Sequence, residues 1–169
     1  AEIADGWLPF MYSPAKGEDI YKNSLESGFS KSGVIEKKEK FEIVTTVFGR
    51  VCEENEVDEY LYPARNIYTL YVGGMGAKSK NFYYNLFCEY GYEDIADELQ
   101  NLYLSGKKKE SEQLFPKELL NELTLVGTKK DIEKKLEKWK DSNITEISLS
   151  LPIDFETVKF IKELLWKFC

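Results

Sequence analysis

Residues 41–52 read FEIVTTVFGRVC, and this run limits the possible folds more than any other stretch of the chain. Its β-branched and aromatic side chains suit a pleated strand better than a helix. Apolar residues stand at both parities, with Phe41, Ile43 and Val47 on one side and Val44 and Phe48 on the other. A strand that is apolar on both faces needs cover on both faces. That is the signature of a parallel sheet flanked by helices, and the flanking sequence has to supply them.

It does so in alternation. Trp7 to Tyr12 is an apolar strand that Pro9 would cut short, and Ser13-Pro14 opens the next segment. Tyr21, Leu25 and Phe29 recur every four residues and predict a helix that Gly33 ends. From Asn55 to Leu70, acidic residues come first, and Val57, Tyr60, Leu61, Ala64, Ile67 and Tyr68 follow at helical spacing. Further helical patterns occupy 81–90, 92–103 and 116–123, and no strand is expected between Tyr71 and Leu125. Those residues form a helical insertion.

The C-terminal signals are sharper. Thr128 and Asp131 make a T-x-x-D capping box ahead of Ile132, Leu136 and Trp139, and Asn143 closes that helix. Residues 144–151, ITEISLSL, alternate as a strand with Ile147, Leu149 and Leu151 on one side. Pro152 stops the strand, and Asp154 caps a last helix whose buried face is Val158, Ile161, Leu165 and Phe168. Strands alternating with helices imply right-handed crossovers in a parallel sheet. Only three strands are expected, near 7–12, 41–52 and 144–151. Three strands cannot close a barrel and leave long edges exposed.

Composition removes several functions. A net charge of -7 and a pI near 4.9 oppose nucleic-acid binding, which needs clustered cations; the short lysine clusters at 37–38 and 107–109 are flanked by Glu. The chain has no histidine, so Ser/His and Cys/His catalysis and histidine metal sites are excluded, and no metal centre is expected. Cys52, Cys88 and Cys169 are odd in number and far apart, which suits buried thiols in a reducing compartment. No run approaches the roughly 20 apolar residues of a membrane span, so the expected setting is the cytoplasm. The chain starts at Ala1 without Met, in what reads as the end of a helix, as a fragment would.

One motif invites a nucleotide reading. YVGGMGAKSKNFYYNLF, residues 71–87, holds three glycines and two lysines. With Lys78-Ser79 as its closing pair, a Walker-type loop requires glycine at 72 and 77, where Val72 and Ala77 stand. A dinucleotide fingerprint fails too, because Lys78-Ser79 falls where the third glycine belongs. Two readings remain open: a glycine-broken connection between helices, or a loop whose N–H groups and Lys78 or Lys80 meet an anionic cofactor tail. Glu53, Glu54, Asp58 and Glu59 suit a first helical turn better than a catalytic pair. No catalytic group is singled out.

Three blocks in order carry a family resemblance: AEIADGWLPF, then YVGGMGAKSKNFY with GYEDIADELQNLYLSGK, then FPKELLNELTLVGTKKDIEKKLEKWKDSNITEISLSLP. Together they resemble the bacterial luciferase-like monooxygenase family, in particular its branch of oxidoreductases that use the deazaflavin coenzyme F420. The resemblance implies that the whole chain, residues 1–169, is a partial domain: the C-terminal half of a TIM (β/α)₈ barrel. Gly6 to Phe10 would be the sixth strand, Phe41 to Val51 the seventh and Ile144 to Leu151 the eighth, with the helical insertion following strand seven.

In function it implies an oxidoreductase that transfers hydride between F420, or alternatively FMN, and a small organic substrate at the barrel mouth. Residues carried over are Leu8, Pro9, Phe10 and Arg50 on the substrate side, and Gly73, Gly74, Met75, Gly76, Lys80 and Asn81 toward the cofactor. A barrel takes about 250 residues, so this chain alone should be inactive and should need an N-terminal half or a second copy as a homo-oligomer. The alternative reading is a non-catalytic half-barrel that dimerises as an interaction module.

Overall fold

The computed structural model describes residues 1–77, 80–150 and 154–168, the last four as backbone. They form two compact units, one of Ala1–Val57 and Glu122–Cys169, the other of Asp58–Asn121.

The first unit is a parallel four-stranded sheet with helices. Its hub is β2, Glu42–Val51, the strand anticipated from FEIVTTVFGRVC. At its start β2 pairs with β1, Gly6–Trp7, setting Gly6 opposite Glu42 and Trp7 opposite Ile43. Along its middle it pairs with β4, Glu146–Ser150, from Val44 opposite Glu146 to Phe48 opposite Ser150. At its end it pairs with β3, Leu125–Gly127, from Gly49 opposite Leu125 to Val51 opposite Gly127.

Three expectations need correction. The first strand ends at Trp7 rather than Tyr12, because Pro9 lacks a ladder donor and Met11 turns to a φ of 58°. The third strand, Leu125–Gly127, was not anticipated: three residues are too few to show a period. The C-terminal strand begins at Glu146 rather than Ile144, and both its expected end at Leu151 and the stop assigned to Pro152 lie outside the described residues.

Helix α1 spans Gly17–Ser32, with Gly33 as its left-handed C-cap, and the single turn α2 spans Lys37–Lys40. Helix α8, Lys129–Lys140, starts at the capping box that the sequence announced. Asp131 N donates to Thr128 Oγ1 at 3.3 Å, and Thr128 N donates to Asp131 Oδ2 at 3.2 Å. Gly127 precedes it at a φ of 149°, and a Cβ there would meet Asp131 Cβ at 3.1 Å. Only glycine lets β3 turn this tightly into the cap.

The core of this unit gathers Tyr12, Val47, Leu125, Ile132, Leu136, Trp139, Ile161 and Leu164, with Ile147 and Leu149 packed against it. Helices α8 and α9, Phe155–Phe168, supply five of those side chains. Full burial of residues of this size stabilises by about 1.5–3 kcal/mol each before entropy is counted.

The second unit is all-helical. It contains most of α3, Val57–Gly74, which follows a 3₁₀ turn at Glu54–Glu56; then α4, Phe82–Phe87; a π-helical turn at Cys88–Tyr92; α5, Glu93–Leu104; α6, Lys108–Leu114; and most of α7, Lys117–Glu122. Its centre is aromatic: the Phe115 ring lies 6.0 Å from Tyr68 and 5.4 Å from Phe87. Among the described residues no helix is long and apolar enough to cross a membrane.

Candidate functional site

Strand alternation gives the sheet two different faces. Val47, Ile147 and Leu149 point into the helix-covered core. The other parity carries Val44, Thr46, Phe48 and Arg50 on β2, paired in register with Glu146, Ser148 and Ser150 on β4. On this side Val44, Thr46 and Ser150 are half-buried and Glu146 and Ser148 are exposed, so polar groups face outward beside an apolar strip. The expectation that β2 is apolar on both faces holds for the strand. Its neighbour β4 makes the second face mixed. The signal is present in ITEISLSL, where the polar Glu146, Ser148 and Ser150 alternate with the apolar Ile147, Leu149 and Leu151.

The carboxyl ends of parallel strands are where ligands gather in β/α folds, because loops and helix N-termini meet there. In this unit that edge is built from interlocking bonds. Arg50 Nη1 lies 2.6 Å from Asp154 Oδ2, both side chains being partly exposed. Asp154 caps α9 by accepting from Thr157 N at 2.7 Å, as the sequence suggested. The buried Thr157 hydroxyl in turn accepts from Val51 N at 2.9 Å. The Thr157 amide and hydroxyl, and then the Arg50 charge, hold the Asp154 carboxyl below its usual range.

Next to this lies a cation that the sequence did not single out. Lys135 on α8 is half-buried and donates to Val126 O at 2.7 Å, and burial pulls its pKa down to about 8. Cys52 closes the same strand ends, its N–H donating to Gly127 O at 3.0 Å, and burial pushes its thiol up. It suits a packed thiol rather than a nucleophile. Among the described residues no cluster of carboxylates and thiols could hold a metal ion.

The remaining candidates fall into two groups. At the start of the first unit, Leu8 is 77% exposed, Phe10 is half-buried, and Pro9 is buried with its carbonyl accepting from Thr45 Oγ1 at 3.1 Å. In the second unit, Met75, Gly76 and Lys80 are exposed, whereas Gly73, Gly74 and Asn81 have internal partners. A Cβ on Gly73 or Gly74 would meet Tyr103 at 2.6 or 2.5 Å. Asn81, 2% exposed, accepts from Tyr83 N at 2.9 Å and Tyr84 N at 3.2 Å, and its amide donates to Tyr71 O at 2.9 Å and Val72 O at 2.8 Å. One side chain thus caps the start of α4 and the end of α3.

A parallel sheet covered by helices on one face and mixed in polarity on the other defines the β/α class of proteins. Within it, residues 1–146 match the luciferase-like monooxygenase family, and the chain belongs to that family. It is 33% identical over 145 residues to a Mycobacterium tuberculosis protein named as a candidate coenzyme F420-dependent oxidoreductase, covering 86% of this chain and 41% of that one.

Two solved structures share the fold. A coenzyme F420-dependent tetrahydromethanopterin reductase from Methanopyrus kandleri superposes with a TM-score of 0.64 at 16% identity, over 97% of this chain and 44% of that one. An F420-dependent secondary alcohol dehydrogenase, solved with an F420-acetone adduct, gives a TM-score of 0.61 at 14% identity, over 96% and 42%. The chain therefore spans less than half the length of these relatives.

Proposed function

We propose that this chain is the part of an F420-dependent oxidoreductase that supplies strands six to eight of a (β/α)₈ barrel. In this reading β1, β2 and β4 are those strands, and the mixed face of the sheet is the barrel interior. The observation that carries it is the 33% identity to a candidate F420-dependent oxidoreductase over 86% of the chain.

Several residues fit a deazaflavin and a small organic substrate. The apolar strip of Val44 and Phe48 and the exposed Leu8 suit a flat ring or an organic substrate, while Thr46 and Ser148 offer hydroxyls to its polar edge. Arg50, held in place by Asp154, would present guanidinium N–H donors at the strand ends. In the second unit Met75, Gly76 and Lys80 are the loop positions open to a cofactor, with Gly73, Gly74 and Asn81 shaping the loop from within. When bound, the coenzyme supplies the site that gives or accepts hydride. The chain's own part is to bind, orient and exclude water.

Barrel closure needs partner strands, from an N-terminal half or a second copy. The test is to express the chain with and without a complementary N-terminal half and titrate F420 and FMN in both redox states. The reading expects saturable F420 binding by the reconstituted protein and weaker FMN binding. A reconstituted protein that binds neither overturns it. Dimerisation of the isolated chain without coenzyme binding would instead favour the half-barrel interaction module.

A further inference from the structure

The helical unit contains a small recess that neither the sheet nor the glycine loop accounts for. Tyr62, Arg65, Lys109, Glu112 and Gln113 line about 280 Å³ between α3 and α6. The Arg65 Nε is shut off from solvent and has no hydrogen-bond partner. The carboxylate coupled to it along α3, Asp58, is engaged by Lys117 at 2.7 Å. Glu112, only 7% exposed, accepts from Asn66 Nδ2 at 2.8 Å. Among the described residues neither Arg65 nor Lys109 has an ion-pair partner within 4.0 Å.

A guanidinium whose Nε has lost its water without gaining an acceptor is costly, and an oxyanion is the group that matches its planar fork. We propose that this recess binds an oxyanion, the phosphate or carboxylate group of a small molecule, with Arg65 and Lys109 as its ligands. Two cations face one carboxylate, so the lining is net positive. Tyr62, half-exposed, adds a hydroxyl donor and an apolar wall, and Gln113 adds an amide. Glu112 works against the anion, and its charge sets an upper limit on affinity.

The test uses the full chain at low ionic strength, titrated calorimetrically with inorganic phosphate and, separately, with succinate. Saturable binding of one probe alone assigns the phosphate or the carboxylate class, and failure of both to saturate overturns the site. Arg65→Gln should weaken binding by about tenfold or more, consistent with loss of a charge-assisted hydrogen bond. Glu112→Gln keeps an acceptor for Asn66 and should tighten binding. Lys108→Gln is the control for general charge, because the Lys108 ammonium lies 5.3 Å over the Tyr103 ring. Wild-type affinity in Arg65→Gln, or an equal loss in Lys108→Gln, overturns the proposal. Should Arg65→Gln fail to fold, Lys109→Gln decides, since that side chain is exposed: undiminished affinity there also overturns it.

Discussion

Tyr103 occupies the space that a side chain at Gly73 would need: a Cβ built on Gly73 falls 2.6 Å from Tyr103 Cβ and 2.7 Å from its Cγ. The next residue meets the same side chain farther out, since a Cβ on Gly74 falls 2.5 Å from Tyr103 Cε1. Both glycines let α3 and α5 approach through one tyrosine. Gly73→Ala and Gly74→Ala should therefore each destabilise the protein by about 1–3 kcal/mol, the usual cost of overpacking. Their responses to Tyr103→Ala should differ. Removing the ring relieves Gly74→Ala but leaves the Cβ that opposes Gly73→Ala. Urea melts of the single and double variants measure this, and equal rescue of both would contradict the packing described.

Asn81 should tolerate no simple replacement. Asn81→Ala loses the acceptor for Tyr83 N and Tyr84 N together with the donors to Tyr71 O and Val72 O, at a cost of about 1–2 kcal/mol for the cap alone. Asn81→Asp keeps the acceptor and removes the donors, placing a buried carboxylate against two carbonyls. It should be at least as damaging as Asn81→Ala. Amide exchange supplies the local readout: Asn81→Ala should deprotect Tyr83 and Tyr84 more than Asn81→Asp does. The same deprotection in both variants would mean that the cap is not what protects them.

These two residues also show what the sequence could and could not reveal. The spacing of glycine and lysine in YVGGMGAKSKNF was enough to exclude a Walker loop. It left open a glycine-broken helix connection and a cofactor loop; the packing of Gly73 and Gly74 against Tyr103, about thirty residues away, is a contact that no local pattern contains. Long periodic elements such as β2, α8 and the T-x-x-D cap were legible because their information is local. Strand β3 was not, being defined by its pairing with Gly49 to Val51 rather than by any period of its own. The outward face of β4 was visible in principle, since alternation assigns both parities at once. The Lys135 environment was not, because nothing in KKDIEKKLEKWK distinguishes the one lysine that reaches a strand carbonyl from its neighbours.

Thr157 links β2 to α9 through a buried hydroxyl. Thr157→Val preserves shape but leaves the part-buried Val51 N without its acceptor and removes the hydroxyl that supports the Asp154 carboxylate, at a cost of about 1–3 kcal/mol. Thr157→Ser should retain most of the stability, since it keeps the oxygen. Denaturant melts of the two variants give the comparison, and a Thr157→Val protein as stable as wild type would show that water replaces the hydroxyl.

Asp154 gives this edge a signature in acid. Its folded pKa lies below the ordinary 3.8, so the folded state binds fewer protons than the unfolded state as the carboxyl titrates. The stabilisation it contributes is intact above about pH 3.8 and is lost as pH falls through the lower, folded pKa. Asp154→Asn should therefore narrow its stability gap to wild type steadily below pH 4, as measured by urea midpoints. A gap that stays constant into acid would mean that the Thr157 and Arg50 contacts do not favour the ionised carboxylate.

Lys135 should act in the opposite range of pH. Burial lowers its folded pKa from 10.5 to about 8, so between those values the unfolded chain carries a proton that the folded protein has released. Stability then rises with pH across the window, by at most about 1.4 kcal/mol per unit for one proton. Below pH 8 both states are protonated, and the cost of burying the charge is present in full. Other groups oppose this trend: burial raises Cys52 above 9.0 and Tyr12 above 10.0, so the folded state retains their protons longer and loses stability as they titrate. The informative quantity is therefore the difference between wild type and Lys135→Met, in which those contributions largely cancel. That difference should shift in favour of wild type from pH 8 to 10, followed by chemical denaturation in closely spaced buffers. If it stays flat across the window, the ammonium keeps its ordinary affinity for the proton, and the bond to Val126 O must be solvated well enough to hold the charge.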